Sequence, residues 1–146
     1  MLKARAALGG LMIILTAGLA ILSLPARSQN SNELSVKAVM NTLVTPATNT
    51  LWGAYDISTD AQWQTLDEAA RTVIQAGELI ATGGSGPEDM AEAANEDWQR
   101  YTRAMIEAGQ AALSAIQSRN EQALSDVGND LLYPPCESCH ARYMAQ

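Results

Sequence analysis

Both cysteines and the only histidine of this chain fall in one five-residue run, Cys136-Glu137-Ser138-Cys139-His140. On a helix, Cys136 and Cys139 lie about one turn apart on one side, and His140, four residues after Cys136, projects from nearly the same side. Four chemistries compete for such a run. A structural disulfide would suit an oxidising compartment, but it does not require the adjacent histidine. A thioredoxin-like redox pair belongs beside a βαβ pattern, and no strand pattern is evident. Zinc needs four ligands of the right kind, and with no further Cys or His a carboxylate would have to complete the set. The fourth chemistry is haem c attachment, for which Cys-x-x-Cys-His is the known signal. Two thiols form thioethers with the two vinyl groups of one haem, and the histidine becomes the proximal axial ligand of its iron. The run holds every Cys and His of the chain, so haem attachment through Cys136 and Cys139, with His140 on the iron, is the expectation.

The start of the chain has a different grammar. Lys3 and Arg5 precede an apolar or small-residue run from Ala6 to Leu24, and no acidic residue occurs before Glu33. A positive start followed by an apolar core is the pattern of a secretory signal, with Ala26-Arg27-Ser28 as a small-residue cleavage site before Gln29. An uncleaved membrane anchor is the alternative, because the run approaches spanning length. Either way the rest, residues 29–146, is expected to be exported to the periplasm. Membrane association follows only if the leader is retained.

What must position the motif is a helical chain. At 146 residues one domain is expected. Ala, Leu, Glu and Gln, good helix formers, recur throughout, Phe is absent, and long apolar–polar alternation is missing. Four amphipathic segments can be traced. The first runs from about Asn32 to Trp52, with Val36, Met40, Leu43, Val44, Ala47 and Leu51 on one face and Pro46 expected to kink it. The second follows the cap cluster Ser58-Thr59-Asp60, carries the stripe Trp63, Leu66, Ala70, Val73, Ile74, Gly77 and Ala81, and ends at Gly83-Gly84. The third begins between Pro87 and Asn95 and aligns Trp98, Tyr101, Met105, Ala108, Ala112 and Ile116. The fourth is capped by Asn120 and aligns Leu124, Val127, Gly128 and Leu131. Pro134 should push Tyr133 out of helical geometry, so a break or sharp kink is expected there, with the motif on the first turns of a short terminal helix. Four such segments with short connections predict an all-α, antiparallel four-helix bundle. Gly77, Ala70, Ala108, Gly109 and Ala112 either bring helices close together or leave room for a flat group.

Without residues 1–28 the chain keeps six basic and sixteen acidic residues, a net charge near −10. Such a surface disfavours nucleic acid and anionic lipid and suits a basic redox partner, although many exported proteins are simply acidic.

An exported four-helix bundle with Cys136-x-x-Cys139-His140 near its end, followed by Ala141-Arg142-Tyr143, resembles the class II c-type cytochromes, the superfamily of cytochrome c-prime. The resemblance implies one covalent haem c on Cys136 and Cys139, His140 on the iron, and an electron carrier rather than an enzyme. In the low-spin branch of that family a methionine near the mature N-terminus fills the sixth position and raises the potential. Met40 stands in that place, twelfth if Gln29 is the new start; an ordinary core methionine is the plainer reading of the residue. Met90 and Met105 are weaker candidates, and Met144 should lie on the proximal side. The alternative branch is a high-spin, five-coordinate protein that binds NO or CO. Relatives often dimerise through their first two helices, which would make this chain a homodimer. Family members often carry a basic residue just after the tyrosine, where this chain has Met144. Trp52, Trp63 and Trp98 are expected in the core or at the haem edge, with Tyr133 and Tyr143 packed near the haem. Lys37 could reach a haem propionate, a solvated surface lysine being the plainer reading.

Overall fold

A computed structural model describes residues 34–144, and the expected leader, residues 1–28, lies outside them. The described chain is all-α, with four long helices in a bundle. Helix α1 runs unbroken over 36–52 as Val36–Val39, a π-helical stretch Met40–Val44, and Thr45–Trp52. Helices α2 (Asp60–Ala81), a short α3 (Pro87–Glu92) and α4 (Glu96–Gln117) follow. Helix α5 runs over 121–143 as Glu121–Asp126, a second π-helical stretch Val127–Leu132, and Tyr133–Tyr143.

Side-chain oxygens satisfy the first N–H groups of three helices, which would otherwise lack partners. Ser35 accepts from the Ala38 N–H on α1, and Asn120 from the Ala123 N–H on α5. Thr59 and Gln62 form a reciprocal capping box on α2. Asn95 stands at the cap position of α4, but its side chain donates to Glu92 and caps none of the helix's N–H groups. At the end of α2, Gly83 has φ +79°, and a Cβ there would lie 2.5 Å from the Asp89 carbonyl and the Met90 Cα. Only glycine lets α3 fold back so closely.

The core is the seam between α2 and α4. Ala70, Val73, Ala76 and Ile80 face Met105, Ala108 and Ala112, all buried. The glycines in this seam are filled by neighbours. A Cβ at Gly77 would lie 2.6 Å from Ile106 Cγ1, and one at Gly109 would lie 2.7 Å from Ile74 Cγ1. Each isoleucine is thus a knob seated on a glycine of the facing helix. Of the two roles open to these small residues, close helix approach is the one realised.

The break expected at Pro134 is absent, and the helix expected to kink at Pro46 runs on without a break. Pro46 and Pro134 lie inside continuous helices, and Tyr133 is helical at φ −64°, ψ −46°. Proline disrupts an α-helix because it lacks an N–H and its ring meets the carbonyl four residues back. In each case a π-helical stretch ends just before the proline. The Thr45 N–H bonds the Met40 carbonyl and the Tyr133 N–H bonds the Gly128 carbonyl, both five residues back. The wider turn loosens the ladder where the proline cannot join it. It also adds a residue, which shifts the phase of the apolar face. Leu131, expected inward, is 49% exposed, and Leu132 takes its place at 1%. The motif therefore sits on the last turns of a long helix, not on a separate terminal one.

Candidate functional site

The last part of α5, Tyr133–Tyr143, packs on α4, while α1 packs on α2; α1 and this terminal part make few close contacts with each other. Between them lies a slot of two adjoining cavities of about 320 and 360 Å³. Met40 and Asn41 from α1, Ile80 from α2, and Cys139, His140 and Met144 from the end of the chain line both. The first cavity adds Cys136 and Pro135 on one wall, Val44 and Thr48 on another, and Tyr101, Thr102 and Met105 from α4.

Each end of the slot carries a tryptophan. At one, Trp52 Nε1 donates to the Gly128 carbonyl at 3.1 Å, across from α1 to α5. A Cβ at residue 128 would stand 3.1 Å from the Trp52 ring, so the glycine permits the contact. At the other, Trp98 Nε1 donates to the Ile80 carbonyl at 2.8 Å. The Tyr143 ring meets Trp98 edge-on, with centroids 4.9 Å apart at 69°. Thr48 and Thr102 are buried, but each hydroxyl bonds its own helix, at the Val44 and Trp98 carbonyls. The walls thus stay largely apolar with a few polar groups, the usual character of a ligand pocket.

The motif side chains differ in exposure. Cys136 and Cys139 are half-buried, and His140 is exposed on the rim. Both thiols are free. Burial pushes the Cys136 thiol up, and burial followed by the neighbouring Cys136 pushes Cys139 up to about 11. Both are therefore thiols at neutral pH, which suits neither rapid disulfide exchange nor thiolate ligation of a metal. Among the described residues, no group of three or more His, Cys, Asp or Glu side chains is gathered to hold a metal ion.

Of the sequence-stated residues, Met40, Cys136, Cys139 and His140 come together on the slot. Met105, a weaker candidate, is buried at its wall, and Met144 lines it from the His140 side. Met90 is exposed and lines neither cavity. Trp63 is core, whereas Trp52 is partly exposed. Tyr133 is exposed and bonds Glu137 on its own helix at 3.2 Å, so it does not face the slot as expected. Sequence reasoning passed over Thr48, Thr102 and Ile80. The two threonines follow Val44 and Trp98 by four residues, so helical spacing alone could have found them. No protein-family model, no curated protein and no solved structure matches the chain.

Proposed function

We propose that this chain is an exported monohaem cytochrome of the class II type that carries single electrons, in which Cys136 and Cys139 would hold haem c and His140 and Met40 would ligate its iron. The observation that carries the reading is convergence: residues from α1 and from the end of α5 line one slot, a methionine from the first, both thiols and the histidine from the second.

The residues present fit the group. Cavities of this size lie in the range of small-molecule and cofactor sites, roughly 300–1,000 Å³. Cys136 and Cys139 are one turn apart on a wall of the first cavity. Each supplies both the sulfur and the hydrogen consumed by addition across a vinyl group, so attachment needs no oxidant. The His140 ring has no hydrogen-bond or ion-pair partner among the described residues, which leaves a ring nitrogen available to iron. Met40 offers a thioether, the soft donor that favours the reduced state and raises the potential. It sits in a π-helical stretch, a feature often found at functional sites.

When bound, haem supplies one-electron cycling between ferrous and ferric iron. The chain's contribution is the surroundings. Val44, Ile80 and Met105 present apolar surface to the slot, and the Trp52 and Trp98 bonds hold its two ends. Export remains part of the proposal through residues 1–28. Among the described residues, no helix is long and apolar enough to cross a membrane.

The test is haem retention. Protein made with a c-type maturation system should keep haem through denaturation, and the Cys136→Ser, Cys139→Ser double variant should lose it. A denatured wild-type chain free of haem overturns the proposal.

A further inference from the structure

One buried polar atom among the described residues has no hydrogen-bond partner: the Tyr143 hydroxyl. A buried hydroxyl that makes no bond keeps its full desolvation penalty, so such an atom in a native chain calls for an explanation. The ring is fixed by its edge contact with Trp98. Arg142 is close enough for the tyrosine to raise its guanidinium pKa, but it lies over the ring, 5.8 Å from the centroid, and no donor or acceptor meets the hydroxyl in bonding geometry. Tyr143 lines the second cavity of the slot.

Lys37 lines the same cavity. Arg71, Arg100, Arg119 and Arg142 all pair with aspartates, whereas Lys37 makes no ion pair among the described residues. Asp89 also lines this cavity, but its Oδ2 turns back over Gly86, 2.9 Å from where a Cβ would stand, at the start of α3. The end of the slot therefore offers a hydroxyl donor without an acceptor and a cation without a counter-ion. That pair is complementary to a carboxylate.

We infer that Tyr143 Oη and Lys37 Nζ together anchor a carboxylate at this end of the slot and that, on the haem reading above, it is a haem propionate. Both are positioning residues. They come from the two walls that carry the axial ligands, Lys37 from α1 and Tyr143 from α5, so one carboxylate would tie the walls together.

The test compares wild-type holo-protein with Tyr143→Phe, Lys37→Met and Lys37→Arg. Phe keeps the edge contact with Trp98, and Lys37 is exposed, so both changes leave folding intact as read by far-ultraviolet circular dichroism. The readout is the propionate bending band in the resonance Raman spectrum. Tyr143→Phe and Lys37→Met should each shift the band of one and the same propionate, Lys37→Arg should restore it, and Arg103→Gln, an exposed control, should leave it alone. An unchanged band in both variants of a haem-bearing protein overturns this inference and leaves the haem reading standing. A chain that carries no haem after denaturation overturns both.

Discussion

Substituting Gly77 by Ala tests whether the small residues of the α2–α4 seam exist for helix contact. The new methyl would stand 2.6 Å from Ile106 Cγ1, a methylene one bond from the branched Cβ and so held close to its backbone, and the helix or the isoleucine must shift. Overpacking of this kind costs about 1–3 kcal/mol. The better helix propensity of Ala returns about 1 kcal/mol. Net destabilisation of about 1 kcal/mol follows, a fall in Tm of roughly 3–6 °C for a domain of this size. Ile106→Ala removes the obstructing atom and, at a half-buried site, should cost about 2 kcal/mol, the low end for such truncations. The double variant should be about 1 kcal/mol more stable than the sum of the two changes, because the new methyl occupies space that the isoleucine vacates. Equilibrium urea titration followed by circular dichroism measures all four proteins. Neither residue lines the slot, so the haem spectrum should be unchanged throughout. Additivity within about 0.5 kcal/mol, or loss of haem from Gly77→Ala, would refute the knob-on-glycine seam.

Other outcomes follow from single contacts. Trp52→Phe loses the bond to the Gly128 carbonyl and should cost about 1 kcal/mol in urea titration. Asn120→Ala removes the α5 cap and should cost about 1 kcal/mol by the same measurement. In haem-free protein, alkylation of Cys139 by iodoacetamide should be slow at pH 8 and rise about tenfold per pH unit until near 11, where burial has pushed its pKa. The folded thiol holds its proton more tightly than the unfolded one. Its contribution to stability is therefore complete below about pH 9 and is lost as pH rises toward 11; pH-dependent urea titrations check the sign.

Much of the fold was legible because helix ends are written locally. Thr59, Asn120 and Gly83 do what their types suggest, and the stripes of α2 and α4 bury as a period of 3.6 requires. The prolines misled for a physical reason. Proline predicts a break when the ladder on either side is α-helical; here it follows a π-helical stretch, whose extra residue has no signature of its own in the sequence. The same residue moved the buried face from Leu131 to Leu132. At the site, the motif and Met40 could be named from spacing and resemblance, but their meeting on one slot depends on how α1 and α5 are held apart. The Trp52–Gly128 bond and the unpartnered Tyr143 hydroxyl are products of that packing, and no local pattern announces them.

The proposed ligation of a haem iron by Met40 and His140 is tested most directly by the ferrous absorption spectrum of holo-protein, wild-type and Met40→Ala, with and without carbon monoxide. Wild type is expected to be low-spin and insensitive to carbon monoxide, and Met40→Ala to be high-spin and to bind it readily. A wild-type protein that is already high-spin and binds carbon monoxide, or a Met40→Ala protein that stays low-spin with Met105 at the slot wall as its remaining buried thioether, would contradict the assignment.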